Sequence, residues 1–82
     1  MRLPRDESGR SLAKRLRAFG YELTRQTGSH MRLSTTQNGE HHVTVPDHDS
    51  LRIGTLGSIL NSVAARFGIT QHELMKCLFP AD

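Results

Sequence analysis

The hydrophobic pattern changes period twice along this chain, and that change constrains the fold more than any other feature. From Ser8 to Phe19 the apolar residues keep helical spacing: Leu12, Leu16 and Phe19 stand at i, i+4 and i+7 on one stripe. The repeat then drops to two. Tyr21-Glu22-Leu23-Thr24-Arg25, His30-Met31-Arg32-Leu33-Ser34 and His42-Val43-Thr44-Val45 alternate, with Thr27-Gly28-Ser29 and Gln37-Asn38-Gly39 between them. Three alternating runs cut by two turn compositions predict a three-stranded antiparallel meander. Helical spacing returns with Leu56, Ile59, Leu60, Val63 and Phe67.

Caps sharpen the ends. Ser8 suits an N-cap and Gly20 a helix stop, Thr55 suits the next N-cap, and Gly68 closes that helix. Thr70-Gln71-His72-Glu73 reads as a capping box, with Ile69 and Leu74 as its hydrophobic staple. The predicted order is α-β-β-β-α-α, over about 8–19, 21–26, 30–35, 41–46, 55–66 and 71–78. Each strand is apolar on one face only, so the class is α+β with the helices on one side of the sheet. The predicted core is Leu12, Leu16, Phe19, Leu23, Met31, Leu33, Val43, Val45, Leu56, Ile59, Leu60, Val63, Leu74 and Leu78.

Register follows from parity. If Leu33 and Val43 share the buried face, the loop between their strands has an odd number of residues. Gln37-Asn38-Gly39, with Gly39 at positive φ, closes Thr36 on Glu40 and sets Met31 opposite Val45. A two-residue Asn-Gly turn sets Leu33 against Thr44 and spoils the core. The same argument centres the first hairpin on Gly28, pairing Leu23 with Leu33 and Gln26 with His30. The face away from the core then carries Glu22, Thr24, Gln26, His30, Arg32, Ser34, His42 and Thr44, all polar.

Length and composition remove several function classes. Eighty-two residues suit one domain, spanning 1–82, and a chain of this size buries only about 60% of its unfolded surface. No apolar run approaches the roughly 20 residues of a membrane span, and Met1 to Glu7 lacks the apolar region of a secretory signal. The single cysteine, Cys77, excludes an internal disulfide framework and Cys-based zinc motifs, and it reads as a small buried hydrophobe. No Gly-x-Gly-x-x-Gly or Walker loop is present. The expectation is a soluble cytoplasmic domain without a cofactor. Eleven Lys and Arg against eight Asp and Glu leave a net charge of +3, which favours polyanionic partners.

Five histidines raise the question of chemistry. His41 and His42 are strand neighbours pointing to opposite faces, so they do not chelate together. His72, in a first helical turn, reads as simply exposed. His48 lies between Asp47 and Asp49, but one loop triplet falls short of the three or four rigid ligands of a zinc site, so no metal is expected. His48 stays an auxiliary candidate, bracing its loop or touching substrate. His30 starts a strand directly after a Gly-Ser turn, with Arg32 two residues on. An imidazole, with an ordinary pKa near 6.5, can take a proton from a ribose 2′-hydroxyl at neutral pH, and neighbouring cations can stabilise the attacked phosphate. Arg10, Lys14 and Arg17 form a second stripe about 200° from the apolar one on the first helix. That stripe is either a solvated face or a surface for phosphates or an acidic partner. Candidate RNA contacts are Gly28, Ser29, Arg25 and Arg32 around the hairpin, together with Arg10, Lys14 and Arg17.

Taken in order, the chain resembles the HicA-type (YcfA-like) mRNA interferase toxins. The resemblance rests on Leu3-Pro4 before the first helix, Gly20-Tyr21 at its end, and Arg25-Gln26-Thr27-Gly28-Ser29-His30. It continues through Val43-Thr44-Val45-Pro46-x-His48 and Gly54-Thr55-Leu56-x-Ser58-Ile59-Leu60, over roughly residues 3–78. Ala64-Ala65-Arg66-Phe67 departs from the shortest members by lengthening the second-last helix. The resemblance implies a double-stranded-RNA-binding-domain-like fold and a toxin of a type II toxin–antitoxin system. It also implies cleavage of mRNA with His30 as the catalytic histidine, and a HicB-type antitoxin, expected to cover the His30 surface; because the residues offer no chelating cluster, the cleavage is expected to be metal-independent. Two other readings stand beside it: a module of the same fold that holds RNA without cutting, and a protein-interaction domain.

Overall fold

The computed structural model describes residues 3–80. Helix α1 (Gly9–Arg15) runs into a 3₁₀ turn (Leu16–Phe19). Strands β1 (Glu22–Thr27), β2 (His30–Thr35) and β3 (His41–Pro46) follow, then helices α2 (Ile53–Phe67) and α3 (Gln71–Leu78). The strands form one antiparallel sheet in the order β1-β2-β3, which makes the fold the expected α+β meander with flanking helices. The Ser8 hydroxyl accepts the Ser11 N–H at 3.0 Å, and Gly20, at φ 81°, stops the 3₁₀ turn. At α3 the capping box is complete: the Thr70 hydroxyl accepts the Glu73 N–H at 3.0 Å, and the Glu73 carboxylate accepts the Thr70 N–H at 2.9 Å. Helix α2 begins at Ile53 rather than at Thr55, and its N-cap residue Arg52 makes no side-chain bond. The buried Leu51 sets that start instead, through its N–H to the Glu7 carbonyl at 2.8 Å.

The β2–β3 hairpin has the expected register. Leu33 faces Val43 and Met31 faces Val45, and all four are buried on the helix side. The β1–β2 hairpin does not. Leu23 pairs with Leu33, but a bulge at Thr24 then shifts the register, so that Arg25 faces Arg32, Gln26 faces Met31 and Thr27 faces His30. The turn is therefore the two residues Gly28-Ser29, with Gly28 at φ 58° in the first position, where a type II′ turn needs glycine. The extra residue of a bulge reverses side-chain parity beyond it. Arg25 and Thr27 consequently join His30 and Arg32 on the open face, and Gln26 crosses to the helix side.

The core holds Leu12, Leu16, Met31, Leu33, Val43, Val45, Leu56, Ile59, Leu60, Val63, Leu74 and Leu78, with Tyr21, Leu51, Ala64 and Met75 added. Two expected members differ. Phe19 is half-buried, edge-on to Phe67 at 5.0 Å between ring centres. Leu23 is 53% exposed, because β1 is an edge strand that the helices do not reach across. Cys77 is exposed rather than buried, on the outer side of α3. Below the sheet, Arg15 reaches the Glu7 carboxylate at 2.9 Å and the Leu78 carbonyl at 2.8 Å, tying α1 to both ends of the described chain. No described helix is long and apolar enough to cross a membrane.

Candidate functional site

His30 opens β2 at the edge of the Gly28-Ser29 turn, exposed on the open face. It lines a shallow groove of about 210 Å³ with Arg25, Thr27, Arg32 and Thr44. Arg25 and Arg32 are direct cross-strand partners, and neither makes an ion pair among the described residues. Like charges facing each other across a strand pair destabilise it, so an anion between or beside the guanidiniums would relieve this pair. Two hydroxyls, two guanidiniums and an imidazole thus surround a space that suits one phosphate diester.

The turn carrying His30 is braced from behind. The Asp47 N–H donates to the Ser29 carbonyl at 2.6 Å. Its carboxylate accepts both Arg10 Nε, at 3.0 Å, and Arg10 Nη2, at 3.2 Å, and also Gln26 Nε2, at 3.2 Å. The hydrogen bond from Arg10 is the main reason this carboxyl sits below the usual carboxylate range, and the same bond raises the Arg10 guanidinium. Gln26 also donates to the Gly28 carbonyl, at 3.4 Å. Asp47 therefore links α1, β1 and the turn. Sequence reasoning took it only as a neighbour of His48.

A family model described as the HicA toxin of bacterial toxin–antitoxin systems matches residues 9–64. The chain belongs to the HicA toxin family. The matched span runs from the first residue of α1 into α2 and contains the whole sheet, the Gly28-Ser29 turn and His30. No curated protein and no solved structure matches the chain. Membership makes it the toxin half of a toxin–antitoxin pair, with an antitoxin as its partner.

On this HicA toxin the remaining candidates separate. Arg10, Lys14 and Arg17 line a groove between α1 and β1 whose floor includes Leu23, Met31 and Leu33. That groove is on the helix side of the sheet, opposite the His30 groove. Of the three, Arg10 is engaged by Asp47. His48 is exposed and does not line the His30 groove; its backbone carbonyl accepts the Gly9 N–H at 2.9 Å. His41 turns inward, its Nδ1 2.7 Å from the Tyr21 hydroxyl and its Nε2 3.4 Å from the Ser62 hydroxyl. Burial lowers its pKa, with help from Arg66 and His42, while burial raises that of the Tyr21 phenol. Among the described residues, no three His, Cys, Asp or Glu side chains converge on an ion site.

The sequence missed Thr27 as a neighbour of His30, and the cause is the bulge. One signal was available. A two-residue Gly28-Ser29 turn and a Leu23–Leu33 pair agree only if β1 carries one extra residue between them.

Proposed function

We propose that this toxin is an endoribonuclease that cuts mRNA, with His30 as its acid–base group. The observation that carries the reading is the His30 imidazole beside two facing, unpaired arginines on an open, polar sheet face. The neutral imidazole takes the proton of a ribose 2′-hydroxyl, and the 2′-oxygen attacks the adjacent phosphorus. Arg25 and Arg32 stabilise the charge gathering on the phosphate oxygens. The P–O5′ bond breaks, the imidazolium returns its proton to the departing O5′, and the products are a 2′,3′-cyclic phosphate and a 5′-hydroxyl. Gly28 and Ser29 form the turn against which the RNA backbone lies. No step calls on a metal ion or cofactor, and cleavage proceeds in the cytoplasm, where the transcripts are. A HicB-type antitoxin neutralises the enzyme by covering the His30 surface.

The test is cleavage of a single-stranded RNA by purified His30→Ala protein, shown to be folded by circular dichroism. General acid–base groups contribute about 10²–10⁴-fold, so the variant loses detectable cutting. Wild-type cutting by the variant, or loss of wild-type activity in EDTA, refutes the mechanism. In cells, the intact chain arrests growth and the His30→Ala chain does not.

A further inference from the structure

A groove of about 580 Å³ occupies the open face next to the His30 groove. The two share Arg25 and Arg32 as a common wall, so they form one continuous trough across the sheet. The far part holds a row of side chains that cleavage at His30 does not use. The Thr24 hydroxyl lies 2.9 Å from the Ser34 hydroxyl, which lies 2.6 Å from His42 Nδ1. Thr24 also donates to the Arg32 carbonyl at 3.3 Å, which fixes the start of the chain. The hydroxyls hold the His42 ring by Nδ1, and its Nε2 has no partner among the described residues. The bulge does not create this row but adds Arg25 to it, since it keeps Thr24 and Arg25 on the same face.

Charge along the trough is graded. His30, Arg25 and Arg32 stand at one end, and the other holds Ser34 and His42 level with Glu22, the cross-strand partner of Ser34, with Glu40 also in its lining. A phosphate is drawn to the arginines and repelled by the carboxylates. The carboxylates and the His42 ring suit instead a nucleobase edge presenting N–H groups. Ser34 follows His30 by four residues on β2, about 13 Å at ordinary strand rise, too far to act on the same phosphate.

We propose that the Thr24–Ser34–His42 row is a base-binding subsite for a nucleotide flanking the bond that His30 cuts, and that it takes single-stranded RNA. A paired base has its Watson–Crick edge occupied and cannot enter. The proposal rests on the reading of His30 as the cleaving residue, and binding to uncut RNA separates the two. The His30→Ala chain is titrated with a fluorescein-labelled single-stranded RNA octamer and with a hairpin duplex of the same sequence. Adding His42→Ala weakens octamer binding about five- to tenfold, the loss of one good hydrogen-bonding group, and leaves duplex binding unaltered. Ser34→Ala, which frees the ring, gives a smaller loss in the same direction. His42→Asn, which keeps a donor and an acceptor, recovers part of it. In amide spectra of the His30→Ala chain, Thr24, Ser34 and His42 shift on adding octamer. Unchanged octamer affinity in the His42→Ala chain, or an equal loss for duplex, overturns the subsite. If His30→Ala itself cuts RNA, the cleavage reading fails, while the His42 effect on binding still decides the subsite.

Discussion

Gly9→Ala is the sharpest test of how the site is held. Gly9 is the first residue of α1, is buried, and donates its N–H to the His48 carbonyl at 2.9 Å. A methyl group there would overlap the Pro46 carbonyl oxygen and lie 2.9 Å from its carbon and 3.3 Å from the Asp47 Cα. These neighbours are backbone, so no side chain can rotate away; the helix start and the end of β3 have to part. Overpacking of this kind costs about 1–3 kcal/mol, and a backbone clash belongs at the upper end. Helix propensity favours alanine by at most about 1 kcal/mol. The net is about 2 kcal/mol of destabilisation, which in a domain this small lowers Tm by about 8–16 °C. The parting also disturbs Asp47, whose N–H holds the Ser29 carbonyl, so the proposed cleavage is expected to fall along with stability. Gly54→Ala is the control: it too is a helical glycine, and a methyl group there meets nothing within 4 Å, so its Tm stays level or rises. Calorimetric melts of the two variants decide the matter. A Gly9→Ala melt at or above wild type refutes the close approach of α1 to β3.

Other perturbations have equally definite signs. Thr35 is 2% exposed, and its hydroxyl donates to the Phe19 carbonyl at 2.9 Å and accepts the Gln37 N–H at 3.1 Å; Thr35→Val strands both and costs about 1–3 kcal/mol in urea unfolding. Arg15→Met leaves the nearly buried Glu7 carboxylate without its partner and removes the guanidinium 4.4 Å over the Phe79 ring. Because Arg15 is itself partly exposed, a loss of about 2 kcal/mol is expected, below that of a fully buried pair. His41 has a folded-state pKa below its unfolded one, so the unfolded chain binds the proton more readily. The stability from keeping His41 neutral is therefore complete above the unfolded pKa and is lost as pH falls through the folded value. Urea melts at pH 7.5 and 5 should show this decline in wild type and a smaller one in His41→Gln; equal declines contradict the assignment.

What the sequence disclosed and what it withheld divide along a physical line. The β2–β3 register was legible because two independent signals agree: a buried Leu33–Val43 pair, which demands an odd loop, and a glycine at that loop's positive-φ position, found at φ 93°. In α3 the Thr70–Glu73 box and the apolar stripe give the same boundaries. The first hairpin was not legible by the same logic, because parity fixes register only while the strand is regular. Leu23–Leu33 and the Gly28-Ser29 turn each impose a different parity, and the bulge at Thr24 satisfies both. Leu23 was misassigned to the core for a related reason: alternation shows which face a residue points to, not whether a helix covers that face at an edge strand. His30 could be picked from its Gly-Ser-His setting, and Arg25 and Arg32 as its neighbours along the chain, but not the way they are brought together. Arg25 and Thr27 reach it only through the parity reversal, and Asp47 braces its turn across 18 residues of chain that no local pattern spans. The irregularity that misled the register is thus the device that assembles the site: without the bulge, Gln26 rather than Arg25 and Thr27 would stand beside His30, and no pair of facing arginines would remain to draw a phosphate to it.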